Sequence, residues 1–411
     1  MRRVPTQQLR TGDRIGRDVL TASHDIPLLR AGIRVSDSYR ESLMRSNITS
    51  VWVDDGLSEG IKPLEIMGER TKQRATAAIH SAFRDVSRSL VSGTPVTSEA
   101  LREMEEVADL ICADVSANVH SALALNDLAN ADGYTLKHSL AVTALGLSLG
   151  LRVMQKYGWI DTHGYRRFDG IDERLSTLGV GLLLHDIGKL AVPAEILEKA
   201  GPLSAEEWLA MRAHPTLGAQ MLQHADGISP VSRAVVRSHH ERWDGYGYPA
   251  GLAGHAIHQF ARIASVADVF DALTSDRSYR RALPMHEGYD YIVSRTGREF
   301  DPEVVAIFAE SVAPHPPGTG VVLSDGRCGI VTVVRPESVT RPVVRLVLDA
   351  AGTPVAGSEI DLSLVREITI VSTAFDPFGS ASAETPIAPT WPHDLNHTEL
   401  ARERTHVPLG R

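Results

Sequence analysis

The sequence predicts a mainly α protein: an all-α helical bundle flanked by a small N-terminal α/β module and a small C-terminal β module. Three observations carry that expectation. Apolar residues recur at three- and four-residue spacing from about residue 68 to 312; the period drops to two after Pro314-His315-Pro316-Pro317-Gly318; and short apolar runs broken by turn signals fill the first 62 or so positions. At 411 residues the chain also exceeds what one hydrophobic core usually organises, so several domains are expected.

In residues 1–65, Val51-Trp52-Val53 reads as a strand, Thr11-Gly12-Asp13 and Ala31-Gly32 as turns, and 36–46 as a helix. The charged residues there are scattered without catalytic grouping, which assigns the module to regulation or oligomerisation, a surface for regulatory protein partners. Asp54-Asp55 reads as a strand end. Residues 66–130 form two leading helices, 69–91 and a second whose Leu101, Met104, Ala108, Ile111, Val115 and Val119 make one stripe, with Ser92-Gly93-Thr94-Pro95 between them. They are candidates for a homodimer interface. The helical period continues at 137–154, 176–189, 204–224, 230–240, 260–275, 285–296 and 302–312, so 131–313 is the bundle, with Gly158 to Tyr165 as a loop insertion. Strands at 321–323, 330–334, 343–348 and 368–371, with the turn Ser324-Asp325-Gly326-Arg327, predict a barrel-like or open sheet over 318–373. The Pro-, Ser- and Thr-rich stretch 374–411 is expected to be a disordered tail.

Composition narrows the function classes. With 43% hydrophobic and 23% charged residues, no signal-peptide pattern and no apolar run near the roughly 18 residues of a membrane span, a cytoplasmic globular protein is expected. Cys112 and Cys328 are the only cysteines and lie far apart, so any metal must be held by His and carboxylate. A formal charge of -9 argues against binding a nucleic-acid polymer, whereas a small phosphate ligand needs only a local basic pocket.

Several of the 17 His residues fall instead in the middle of the chain, beside Asp. His185-Asp186-Ile187-Gly188-Lys189 follows the apolar run Gly181 to Leu184. On a helix, adjacent side chains diverge by about 100 degrees, so His185 and Asp186 can flank one ion or the carboxylate can bridge two, with Lys189 one turn from His185. An Asp at the end of an apolar helix is costly to bury unless a cation compensates it. Further along come His214-Pro215, His239-His240-Glu241 and Asp268 within Ile263 to Phe270; upstream stands His138 among Leu140, Ala141, Ala144 and Leu147. A single such His is more often a core histidine. Together with two carboxylates on separate helices, these positions are better explained by a two-metal cage inside the bundle. Nitrogen and carboxylate donors without sulfur suit iron or manganese, with zinc admitted, and disfavour magnesium and calcium. Two such ions would activate water and stabilise both oxygens of an in-line phosphoester displacement. The run Arg242-Trp243-Asp244-Gly245-Tyr246-Gly247-Tyr248-Pro249 after the His pair reads as a ligand-facing loop, with glycines allowing close approach and Tyr248 offering a ring and a phenol.

These residues resemble the HD-GYP subgroup of the HD phosphohydrolase superfamily, whose members degrade cyclic di-GMP in bacteria. The resemblance covers about 130–312 and continues through Asp268-Val269-Phe270-Asp271-Ala272-Leu273-Thr274-Ser275-Asp276-Arg277. It implies an HD-type bundle and a metal-dependent phosphodiesterase that cuts cyclic di-GMP to pGpG, with GMP as a further product. It also implies that His138, His185, Asp186, His214, His239, His240 and Asp268 hold two divalent ions, with Asp186 bridging. Lys189 would contact the scissile phosphate, Arg277 and Arg280 other phosphate oxygens, and Gly247 and Tyr248 the dinucleotide, which also fits the bidentate habit of Arg and the point charge of Lys. Asp271, one turn beyond Asp268, is placed to orient a ligand His. Tyr134 stands four residues before His138, where three-metal members carry a Glu, and favours two ions. His163, His224, His255, His258 and His286 are expected outside the cage. Another cyclic dinucleotide or nucleotide as substrate, and a receptor without turnover, stay open as alternatives; the receptor predicts a missing ligand, and none is missing.

Overall fold

A computed structural model describes residues 1–373 apart from 22–23, 47, 49, 93–97, 119–122, 124–133, 198, 200, 224, 226–227, 276–281 and 356. The expected tail, 374–411, lies outside the described residues.

The N-terminal module is built on β1 (Arg2–Pro5). The hairpin β2 (Val19–Thr21) and β3 (His24–Leu29) follows, then α1 (Asp37–Arg45) and β4 (Ser50–Val53), which pairs antiparallel with β1. Ser36 starts α1 by accepting from Tyr39 N, with Asp37 in the first turn and Arg45 in the last, as the helix dipole favours. Val4, Leu9, Ile15, Leu43, Val51 and Val53 close its small core. Asp55 accepts from Ser58 N and pairs with Arg2, so it caps a turn at the strand end.

Two long helices lead into the bundle, α2 (Glu69–Ser92) and α3 (Ser98–Ala117). Ala75, Ile79, Ala82 and Val86 on α2 and Met104, Ala108, Ile111 and Val115 on α3 are buried in the same core as the bundle helices. That stripe is therefore consumed inside the chain, and only the outward faces are left for a second copy. Beyond them lies α4 (Tyr134–Tyr157), apolar on every side from Leu140 to Leu151, as a central helix must be. The stretch read as a loop insertion forms a hairpin, β5 (Trp159–Ile160) with β6 (Arg166–Arg167), and His163 at its tip is exposed. The helices α5 (Ile171–Leu183), α6 (Ala194–Leu197), α7 (Ala205–Arg212), α8 (His214–Met221), α9 (Pro230–Ser238), α10 (Gln259–Thr274), α11 (Met285–Ser294) and α12 (Pro302–Ser311) complete the bundle.

Two boundaries differ from the periodicity. The helix expected over 176–189 stops at Leu183, where the Leu182 carbonyl accepts from His185 Nδ1 at 2.7 Å, and a 3-10 turn spans Ile187–Ala191. The helix expected over 204–224 is two helices, because Pro215 has no N–H to continue α7 and is suited to opening α8.

The last five strands are β7 (Gly320–Leu323), β8 (Cys328–Val333), β9 (Val343–Leu348), β10 (Glu359–Asp361) and β11 (Ile370–Ser372). They form one antiparallel sheet in the order β10-β9-β8-β7-β11, open at its ends rather than closed into a barrel. This sheet leans on the N-terminal module through Ile61 against Ile330 and Val347, and through Arg3 N donating to Gly318 O at 3.2 Å. Among the described residues no helix is long and apolar enough to cross a membrane.

Candidate metal centre

The seven candidate ligands come from five helices and converge. His138 lies one turn into α4; His185 and Asp186 occupy the turn after α5; His214 opens α8; His239 ends α9 with His240 next; Asp268 sits mid-way along α10. All are buried except His240, which is half-buried. Two groups of donors form. In His138, His185 and Asp186, one ligand atom from each lies within 4.8 Å of the others, and the same holds for His214, His239 and His240. Asp186 faces both groups: Oδ2 is 3.5 Å from His185 Nε2 and 3.7 Å from His138 Nε2, while Oδ1 is 3.4 Å from His214 Nε2. Asp268 spans them as well, with Oδ1 3.0 Å from His138 Nε2 and Oδ2 3.6 Å from His240 Nδ1.

Tautomers test whether this set fits a cation. His214 Nδ1 lies 2.8 Å from Met211 O and His239 Nδ1 2.9 Å from Val236 O. A carbonyl only accepts, so both Nδ1 atoms carry the proton and both Nε2 atoms carry lone pairs. Those two Nε2 atoms face each other at 3.4 Å, as two ligand atoms of one cation would. The donors fit a metal ion. Burial, with little compensation from nearby carboxylates, pushes His214 down to about 4 and His239 down to about 3, and holds His240 well below its ordinary value, so these rings stay neutral. His185 is lowered by burial too. His138 differs: burial opposes its charge, but the hydrogen bonds it donates to Asp268 and Asp271 outweigh it and raise the ring to about 9. A proton there stands where a cation would, and metal binding would release it.

Around these donors, Asp271 accepts from His138 Nδ1 at 2.7 Å and is itself held by Ser275 Oγ at 2.8 Å. Burial would raise Asp186, yet the Lys189 ammonium and the surrounding imidazoles keep it well below the usual carboxylate range. Lys189 does not run along His185, as a continuous helix would require. The 3-10 turn brings its Nζ to 2.5 Å from Asp186 Oδ2. Tyr248 stacks on His240, ring centroids 4.7 Å apart at 26°, and is buried. Gly247 is held by internal packing: a Cβ there would lie 2.3 Å from Arg242 N and 2.5 Å from Glu241 Cα. Arg277 and Arg280 lie outside the described residues, as do His224 and the side chain of Tyr134.

Of the remaining histidines, His255 is exposed, but His258 and His286 are half-buried, capping α10 and stacking on His315 respectively. Two features escaped the sequence. Glu241 accepts from Ala250 N at 2.7 Å and Leu252 N at 2.9 Å and so ties the Tyr248 loop to the His pair; its place directly after His239-His240 was the available signal. Arg212 stacks on Tyr248 at 4.6 Å, and nothing in the residue pattern announced it.

Residues 169–304 match the HD domain, and residues 320–377 match the KOW domain associated with the HD domain. A cyclic di-GMP phosphodiesterase of Pseudomonas aeruginosa is 31% identical over 392 residues, covering 88% of this chain and 89% of that protein. The cyclic di-GMP phosphodiesterase response regulator RpfG of Xanthomonas campestris is 42% identical over 135 residues, 33% of this chain and 36% of that one. A 3'3'-cGAMP-specific phosphodiesterase of Vibrio cholerae is 39% identical over 128 residues, 31% of this chain and 24% of that one.

Proposed function

The chain belongs to the HD-GYP family of the HD phosphohydrolase superfamily, and from that premise we propose that it is a metal-dependent phosphodiesterase hydrolysing cyclic di-GMP to pGpG, with GMP as a further product. One observation carries the reading: the two oxygens of Asp186 face two separate histidine groups, the arrangement a carboxylate needs to be shared between two cations.

His138, His185, Asp186 and Asp268 would hold one divalent ion, and Asp186, His214, His239 and His240 the other, with iron or manganese the best match to the donors and zinc admitted. When bound, such a pair lowers the pKa of water and stabilises both the attacking and the leaving oxygen of an in-line displacement. The protein's own share is positioning and charge. Asp271 fixes the His138 ring. Lys189 keeps Asp186 ionised and has two more N–H bonds to offer a phosphate oxygen. Gly247 and Tyr248 form the wall on the His240 side, and Arg277 and Arg280 are assigned to further phosphate contacts. The same reading takes 1–65 as a regulatory module meeting protein partners, 66–130 as leading helices whose outward faces pair in a homodimer, 131–313 as the catalytic domain and 318–373 as a β module, in a cytoplasmic protein.

The test is metal analysis of the purified protein followed by chromatography of cyclic di-GMP after incubation. About two ions per chain and a pGpG peak are expected, both lost in Asp186→Ala. Intact, tightly bound cyclic di-GMP would replace the enzyme by a receptor, and preferential cleavage of cGAMP would replace the substrate. Full activity in Asp186→Ala would remove the bridging role.

A further inference from the structure

Arg212 ends α7, two residues before His214. It is half-buried, and its guanidinium lies 4.6 Å from the centroid of the Tyr248 ring, the ring that also stacks on His240. Among the described residues it makes no ion pair and no hydrogen bond. Other arginines of the bundle that are buried or partly buried behave differently: Arg242 pairs with Asp244 and Glu299, and Arg262 pairs with Asp301. A partly buried cation without a counter-charge is unfavourable, and a ring face compensates only part of that. The C-terminal end of a helix favours a basic residue, which accounts for an Arg at this position but not for its lying inward against Tyr248.

The geometry points to a ligand. A guanidinium resting on a ring turns its N–H fork sideways, where it matches two oxygens of one phosphate. Arg212 is not closed off from solvent, because α7 buries none of its residues. A cyclic dinucleotide carries two phosphodiesters; with one at the metal centre beside Lys189, the other lies farther out and calls for a cation there, which Arg212 on the Tyr248 ring can supply. We infer that Arg212 contacts the substrate and takes its second, non-scissile phosphate, which makes it a specificity-determining residue for cyclic dinucleotides. This rests on the reading under Proposed function.

The test uses the full-length protein and its Arg212→Gln and Arg212→Lys variants. Steady-state constants are measured for cyclic di-GMP, for cyclic di-AMP and for bis(p-nitrophenyl) phosphate, which has a single phosphate. Arg212→Gln should raise KM for both cyclic dinucleotides by roughly 10- to 100-fold, the range for losing a charge-assisted contact. Its effect on the small diester should be at least about tenfold smaller, and Arg212→Lys should recover part of the loss. Equal losses on all three substrates would mean that Arg212 acts only by holding Tyr248, and would overturn the inference. So would no loss at all, or a loss confined to the guanine substrate, which would assign the fork to the O6 and N7 of a base. Wild-type turnover of cyclic di-GMP is read first: its absence sinks the phosphodiesterase reading together with this inference, whereas its presence beside an unselective variant sinks this inference alone.

Discussion

Gly188 is the most informative single position at which to perturb the centre without touching a ligand. It lies in the 3-10 turn that carries Asp186, and that turn packs backbone against backbone on α8, which carries His214. A Cβ at Gly188 would lie 1.9 Å from His214 O and 2.5 Å from Gly218 N. Ordinary contact begins near 3.4 Å, so Gly188→Ala must open the two segments by about 1.5 Å, the difference between those spacings. Asp186 Oδ1 and His214 Nε2 are 3.4 Å apart. Two metal–ligand bonds of about 2.1 Å reach no more than about 4.2 Å, so an opening of that size along this line takes the pair beyond one ion's span. Overpacking of this kind costs about 1–3 kcal/mol in stability, and a 1 Å displacement at a reacting centre costs about 100-fold in rate. The expected outcome is a folded protein by circular dichroism, with a lower melting temperature, less bound metal by elemental analysis and cyclic di-GMP turnover down at least about 100-fold. Gly218→Ala, whose Cβ would meet Gly188 N and Val236 Cγ1 at 3.0 Å, should fall between the two. A Gly188→Ala protein with full metal content and nearly unchanged turnover would refute the claim that this contact sets the spacing of the ligands.

Other perturbations separate the roles. Lys189→Ala should lower kcat while metal content is kept, because the ammonium touches Asp186 Oδ2 but is not itself a donor to a cation; loss of metal would instead make it part of the scaffold. Asp271→Asn weakens the charge-assisted bond to His138 Nδ1 and should reduce metal affinity by about 10- to 100-fold, measured by titration of the chelated protein; unchanged affinity would leave Asp271 a purely structural residue. Burial pushes His258 from 6.5 down to about 4 while its Nδ1 accepts from Phe260 N, so between those values the unfolded chain binds a proton that the fold excludes. Its contribution is fully present above about pH 6.5 and falls as the pH drops toward 4, by up to about 3 kcal/mol. Urea unfolding at pH 7 and pH 5 should show that loss, and His258→Asn, which can still cap α10, should show a shallower one; equal slopes would clear His258 of the effect.

What the sequence conveyed and what it withheld divide along a physical line. The buried stripes of α2, α3 and α10 were legible because one core meets each of them, and the donor residues were legible because His and Asp among apolar neighbours need a charge-based reason to be there. The end of α5 was not, since it depends on the His185 side chain taking the Leu182 carbonyl. The break between α7 and α8 was written in Pro215 and follows from its missing N–H. Strand β10 has three residues and no period to detect, and its pairing with β9 comes from the sheet, not from its own composition. Gly247 was legible only as a glycine allowing close approach, while the contact that requires it, with the backbone of Glu241 and Arg242, is a tertiary fact.

The same hydrogen bonds build the fold and prepare the site. His185 Nδ1 donates to Leu182 O, His214 Nδ1 to Met211 O and His239 Nδ1 to Val236 O, each reaching the carbonyl three residues earlier at the end of a helix. Those carbonyls lie in the last turns of α5, α7 and α9, and although Leu182 O and Met211 O also accept from a backbone N–H of the following residues, the imidazoles add a side-chain cap to each helix end. Capping fixes which ring nitrogen keeps its proton, and thereby aims every Nε2 lone pair at the centre before any ion arrives. It follows that the rings should stay in place when the metal is stripped, and that nitrogen-15 spectra of the chelated protein should show the Nδ1–H tautomer for all three. Rings found as the Nε2–H tautomer would mean that the cation, and not the helix ends, orients the ligands.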